Sequence, residues 1–233
     1  RELREAQARL LQSEKLATIG QMAAGIAHEL NTPLTYIMGN VELLQGQPLT
    51  ASQAGMLKSI AHGAERIKGL AQSLLAFSRP ADESPVPIAV NDVVERSLEL
   101  CRYQILKAGV HLRKALATDG PRVAGVANQL EMALINLVVN AIHAMEGEGG
   151  QLRVSTALKG GDVEIAVADT GPGIPEPIQG RLFEPFVTTK PEGRGTGLGL
   201  STVLMVVQRH QGRIDFSTSG SGTTFRITLP AAR

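Results

Sequence analysis

An apolar residue returns at every seventh position through residues 16–44: Leu16, Ala23, Leu30, Ile37 and Leu44, with Ile19 and Ile26 between them. A repeat of this period writes a seam along a helix that has to face another helix. A second run, Leu57, Ile60, Ala64, Ile67, Ala71 and Leu74, is spaced three and four apart and predicts a second helix ending near Phe77-Ser78-Arg79-Pro80. Gly46-Gln47-Pro48 stops the first helix, and Thr50 or Ser52 can cap the second. A single hairpin with one apolar face per helix has too little to bury alone. Residues 1–79 are therefore expected to form a helical hairpin that pairs with a second copy, a homodimer built on a four-helix bundle.

Residues 80–88 contain three prolines and read as a linker. From 89 the pattern changes. Helical periodicity covers about 91–108, 127–145 and 198–211, and strand-like runs cover about 110–116, 121–126, 151–158, 162–168, 212–218 and 223–229. This order predicts a two-layer α/β sandwich over 89–233. Residues 169–197 are rich in Gly and Pro and show little periodicity, and a loop of that length inside a compact domain is usually functional.

Composition removes several function classes. The net charge is +1, and aromatic residues make up 3% of the chain, so neither phosphate attraction nor base stacking points to nucleic acid. The single Cys101 permits no internal disulfide and fits a buried thiol in a reducing, cytoplasmic compartment. No apolar run approaches the roughly 18 residues of a membrane span. The chain starts at Arg1 in mid-helix, which reads as the C-terminal part of a longer protein, so the lack of a membrane span here says nothing about the full-length molecule.

Four groups of residues carry chemistry. His28-Glu29 lies in the first helix, and at about 100° per residue His28 sits about 160° from Leu30 and its seam-mates, on the open face. A neutral imidazole there is nucleophilic, and Glu29 can take or orient its proton, although the pair also fits a plain solvated face. Pro33 removes a backbone donor and kinks the helix. A zinc site of the HExxH kind is excluded, because Thr32 stands where the second His is required. Asn136 and Asn140 share a helical face, where their amide oxygens suit a magnesium ion or cap neighbouring loops. Asp169 follows a strand and precedes Gly171-Pro172-Gly173, so its carboxylate can accept from an exocyclic amine while the glycines let backbone approach a flat base. Gly195, Gly197 and Gly199 lead into an apolar helix whose first N–H groups favour phosphate. Neither a P-loop nor a dinucleotide fingerprint is present.

In this order the chain resembles the catalytic core of bacterial sensor histidine kinases over nearly its whole length. The matching boxes are His28-Glu-Leu-Asn-Thr-Pro-Leu34, Leu74-Leu-Ala-Phe-Ser-Arg-Pro80, Asn136-Leu-Val-Val-Asn140, Asp169-Thr-Gly-Pro-Gly-Ile-Pro175, Leu182-Phe-Glu-Pro-Phe186 and Gly195-Thr-Gly-Leu-Gly-Leu-Ser201. The resemblance implies an α plus α/β protein: a dimeric histidine-phosphotransfer bundle, then an ATP-binding domain of the gyrase, histidine kinase and mismatch-repair superfamily. It implies His28 as phosphoacceptor, Glu29 as acid–base partner and Thr32 as the residue that orients water in dephosphorylation of the partner. Asn140, assisted by Asn136, would hold Mg2+. Asp169 would read adenine, with Gly171, Gly173 and Thr223 around the base. His143, Lys190, Gly195, Thr196, Gly197, Leu198 and Gly199 would contact the rest of the ATP. Residues 176–196 would form a lid with Phe183 and Phe186 as apolar anchors, and a response-regulator receiver domain would take the phosphoryl group. The resemblance also implies an upstream sensor domain, and any anchor in the inner membrane, outside this sequence.

The sequence departs from the family pattern twice. His143 stands where many of these kinases carry Lys or Arg, and Val126-Ala127 replaces the usual acidic residue after Gly125, which is expected to affect packing or capping only. A plain ATPase of the gyrase type needs a Glu four residues before the metal-binding Asn, and Asn136 stands there instead, unable to serve as a base. His62, His111 and His210 match nothing catalytic and read as surface or core residues.

Overall fold

The computed structural model describes residues 30, 32–78, 85–189 and 197–232. The chain divides into two compact units, Arg1–Asp82 and Glu83–Arg233. His28, Glu29, Lys190, Gly195 and Thr196 lie outside the described residues.

In the first unit, residues 32–45 form α1 and Ala51–Ser78 form α2. The turn between them is closed by a capping box at Thr50 and Gln53. The Gln53 N–H donates to Thr50 Oγ1 at 3.3 Å, while Gln53 Oε1 accepts from the Thr50 N–H and hydroxyl, both at 2.9 Å. Reciprocal bonds of this kind satisfy two donors that a helix start otherwise leaves open. The apolar face is two stripes wide on each helix. Leu34 and Val41 on α1, and Leu57 and Ala64 on α2, are buried, each pair seven residues apart. The adjacent stripe, Ile37 and Leu44 on α1 with Ile60 and Ile67 on α2, is 39–50% exposed. The seam residues Ile37 and Leu44 are thus the outer stripe, and the hairpin covers its neighbour.

In the second unit, the strands are β1 (Val86–Ala89), β2 (Val110–Ala115), β3 (Arg122–Gly125), β4 (Gly150–Lys159), β5 (Asp162–Asp169), β6 (Arg213–Ser219) and β7 (Gly222–Pro230). Helices α3 (Val90–Lys107), α4 (Ala127–Ala144), α5 (Glu176–Gln179) and α6 (Gly199–Arg209) are interspersed. Five strands form one sheet in the order β2-β4-β5-β7-β6, with β2 parallel to β4 and every other pair antiparallel. The strands alternate as the period-2 pattern demands: Val163, Ile165 and Val167 of β5 and Phe225, Ile227 and Leu229 of β7 point into the core. Against them lie Leu130, Leu134, Leu137 and Val138 of α4 and Val203, Val206 and Val207 of α6, which gives the two layers. Cys101 of α3 is buried, and burial pushes its thiol up to about 11.

The linker reading of 80–88 needs one correction. Val86–Ala89 is strand β1, paired antiparallel with β3 in a separate two-stranded sheet, Val86 opposite Gly125 and Ala89 opposite Arg122. Pro87 can sit there because a two-stranded ladder has only edges, and an edge strand tolerates a missing N–H. Its carbonyl still works, accepting from the Arg122 guanidinium at 3.2 Å. Among the described residues no helix is long and apolar enough to cross a membrane.

Candidate functional site

The sheet brings three polar side chains into one row. Register places Asp169 opposite Thr223 on β7, and Thr223 opposite Thr218 on β6, so the three share the core-facing side at one end of the sheet. Asp169 Oδ1 accepts the Gly171 N–H at 2.9 Å and the Thr223 N–H at 3.3 Å. Both bonds fall on the same oxygen. Oδ2 takes no partner among the described residues, and none of their buried side-chain polar atoms is unsatisfied, so Oδ2 reaches solvent. Burial pushes the Asp169 carboxyl above its ordinary value, and the two N–H groups pull it back. The site therefore presents a fixed, half-buried acceptor.

The loop after Asp169 is shaped by Gly173. Its φ is +81°, and a Cβ there would stand 2.0 Å from the Ser219 carbonyl oxygen, so no other residue lets the loop lie this close to β6. The Ile174 N–H donates to Thr218 Oγ1 at 2.8 Å and ties the loop down. Beyond it, Leu182 is buried, and Phe183 packs edge-on against Phe216 with ring centroids 6.2 Å apart.

Phe186 does not act as the second apolar anchor expected of it. It is 65% exposed, with φ at +67°. Its backbone is what is held: the Phe186 N–H donates to the Gly197 carbonyl at 2.9 Å. Gly197 itself has φ at +66°, and a Cβ on it would lie 2.4 Å from the Phe186 carbonyl carbon. This backbone clamp spends Phe186 on geometry and turns its ring outward.

Immediately after the clamp, buried Leu198 caps α6. Its carbonyl accepts from the Thr202 N–H and from the hydroxyls of Ser201 and Thr202. The first N–H groups of a helix have no intrahelical acceptor, the general arrangement that favours phosphate. A Cβ on Gly199 would lie 3.5 Å from Asn136 Oδ1 and 3.8 Å from Asn140 Nδ2. The helix start and the Asn pair of α4 therefore adjoin. His143 is exposed in the last turn of α4, three residues beyond Asn140.

The donor set fits a magnesium ion carried in on phosphate rather than a resident metal. Asn136 and Asn140 supply neutral amide oxygens, and no cluster of three or more His, Cys, Asp or Glu side chains exists among the described residues to complete a cage. Glu131, the carboxylate nearest in sequence, is occupied by an ion pair with Arg96 of α3.

Two residues that sequence reasoning left aside prove structural. Thr218 links the Asp169 loop to Thr223, with 3.1 Å between the two hydroxyl oxygens. The signal was available in β6, where Thr218 falls in phase with inward-facing Ile214 and Phe216. His210 is buried at the C-cap of α6. Its Nε2 accepts the Val126 N–H at 3.0 Å, and its Nδ1 lies 2.7 Å from the Val206 carbonyl. Thus His210, from across the domain, holds the amide of the α4 N-cap residue that carries no side-chain cap.

Residues 125–233 match the family described as histidine kinase-, DNA gyrase B- and HSP90-like ATPase, and residues 18–83 match the histidine kinase A phospho-acceptor domain. The chain is 36% identical over 236 residues to the C4-dicarboxylate transport sensor protein DctB of Rhizobium meliloti (strain 1021), covering 99% of this chain and 37% of DctB. Among solved structures it is similar to full-length ShkA in complex with AMPPNP (TM-score 0.76, 28% identity, 91% of this chain and 46% of that one). It is also similar to the catalytic domain of histidine kinase ThkA (TM-score 0.58, 30% identity, 64% of this chain and 96% of that one). The chain thus spans well under half the length of the curated relative it matches.

Proposed function

The chain belongs to the sensor histidine kinases, and from that membership we propose that it binds Mg-ATP in the second unit and phosphorylates His28 in the first. The observation that carries the nucleotide assignment is Asp169, with Oδ1 pinned by two backbone N–H groups and Oδ2 open to a ligand amine. Asp169 accepts from the exocyclic amine of adenine. Gly171 and Gly173 let the loop lie along the base, and Thr223 closes its edge. The N–H groups at the start of α6, with Gly195, Thr196, Gly197 and Leu198 leading into it, receive phosphate oxygens. His143 and Lys190 add positive or donor character near them. Magnesium, when bound, neutralises phosphate charge, and Asn140 with Asn136 would hold it.

In the transfer step an imidazole nitrogen of His28 attacks the γ-phosphorus. The bond to the β–γ bridging oxygen breaks, ADP departs, and Glu29 takes the imidazole proton. The phosphoryl group then passes to an aspartate of a response-regulator receiver domain. Thr32, exposed on α1 and four residues after His28 in the sequence, supports a second activity, dephosphorylation of that regulator by an oriented water. The exposed stripe of Ile37, Leu44, Ile60 and Ile67 supports a homodimer.

The test is labelling with γ-labelled ATP and magnesium. Label that is lost in acid, survives alkali and disappears in His28→Gln is expected. Label persisting in His28→Gln would sink the assignment of the acceptor. Thr32→Ala is expected to spare labelling and slow regulator dephosphorylation, and equal loss of both would make Thr32 structural.

A further inference from the structure

Three hydrogen bonds meet at Thr218 Oγ1: from the Ile174 N–H, to the Gly222 carbonyl and with Thr223 Oγ1. A threonine hydroxyl has one proton and two lone pairs. Thr218 Oγ1 already receives the Ile174 N–H at 2.8 Å, which uses one lone pair. Its own proton has two acceptors within reach, Thr223 Oγ1 at 3.1 Å and the Gly222 carbonyl at 3.5 Å. Across the 3.1 Å contact either hydroxyl can donate; when Thr218 donates, toward the nearer of its two acceptors, the Thr223 proton is released.

In that arrangement Thr223 Oγ1 accepts from Thr218 and sends its own proton elsewhere. Among the described residues it has no other partner: Asp169 meets Thr223 only through the backbone N–H. Thr223 is buried beside Asp169 in the cross-strand row, so the proton is left for a ligand lying against that row.

We infer that Thr218 is a positioning residue for nucleobase selection, because it turns the Thr223 hydroxyl into a donor beside the Asp169 acceptor. One acceptor next to one donor complements the adenine edge, where an amine donor stands beside the N1 acceptor. A 6-oxopurine reverses both groups, with a carbonyl beside an N1–H, and meets like against like. The inference rests on Asp169 reading the base. It adds that a third strand, β6, sets the polarity of that reading, which explains why a hydroxyl rather than an apolar side chain sits in phase with Ile214 and Phe216.

The test is calorimetric titration of the whole chain with ATP, with ITP, and with 1-deaza-ATP, which has a C–H where adenine has N1. Unaltered protein is expected to prefer ATP over 1-deaza-ATP by about three- to tenfold, the worth of one hydrogen bond. It is also expected to disfavour ITP. In Thr218→Val the ratio of ATP to 1-deaza-ATP affinity is expected to collapse to about one, and Thr218→Ser is expected to restore it. A purely structural role would weaken both nucleotides equally and leave the ratio intact, which would overturn the inference. Equal binding of ATP and 1-deaza-ATP by the unaltered protein would overturn it without any variant. Asp169→Asn separates the two levels: retained ATP affinity there removes the base-reading role itself. Lost affinity there, with an unchanged ratio in Thr218→Val, removes only the role of Thr218.

Discussion

Burial moves Asp169 and His210 in opposite directions, and each shift has a readable consequence. The Asp169 carboxyl is raised by desolvation, so it protonates above the ordinary value of about 3.9. Between the unfolded and folded values the native state binds more protons, so this group stabilises the fold as pH falls. ATP affinity is thus expected to drop on acidification from loss of the acceptor, since protonating Asp169 does not itself destabilise the fold. Titration calorimetry against pH checks it, with Asp169→Asn expected to be about 10- to 100-fold weaker and flat across that window. His210 is lowered by desolvation and by nearby Arg209, while its bond to the Val206 carbonyl opposes the shift. Its Nε2 must be unprotonated to accept from Val126. The unfolded chain then binds more protons below about pH 6.5, so this contribution is complete above that value and lost as pH falls toward the lowered folded one. Urea midpoints from pH 7.5 to 5 are expected to fall more steeply in the unaltered protein than in His210→Gln. Asp169 was legible in the sequence because DTGPG after a strand names a turn with a carboxylate. His210 was not, because its partner amide lies 84 residues earlier in the chain and only the folded sheet and helices bring the two together.

Elements were legible where a local pattern ran long enough to repeat. The alternation of Val163, Ile165 and Val167 and the spacing of Leu130, Leu134 and Leu137 located β5 and α4 to within a residue or two. β1 was hidden, because four residues flanked by and containing proline carry no period, and only pairing with β3 makes them a strand. The α1–α2 turn was legible in its chemistry: Thr50 was one of two candidate caps, and Gln53 three residues on completes the box. Thr50→Ala is expected to cost about 1 kcal/mol, since it removes the acceptor for the Gln53 N–H. Ser52→Ala is expected to be near neutral. Thermal melts of the first unit compare the two, and a larger loss at Ser52 would move the cap.

At the scale of the whole molecule, the two apolar stripes per helix argue for assembly. Leu34, Val41, Leu57 and Ala64 are covered within one hairpin, whereas Ile37, Leu44, Ile60 and Ile67 remain open. Four aliphatic side chains at heptad spacing form a seam, and a second hairpin presenting the same seam would bury both at once. The double variant Ile37→Glu with Ile60→Glu places charge on both helices of that seam while leaving the covered stripe untouched. It is expected to sediment as a monomer at concentrations where the unaltered chain is a dimer. The described residues proposed to hold nucleotide, Asn136, Asn140, Asp169, Gly199 and Thr223, belong to the second unit. ATP affinity of the monomeric variant is therefore expected to stay within about twofold of the unaltered protein, since the bonds fixing Asp169 and the start of α6 lie inside that unit. Sedimentation and titration calorimetry on the same preparation decide the matter: a variant that remains dimeric removes the exposed stripe as the interface, and a monomer that no longer binds ATP shows that the nucleotide site depends on assembly.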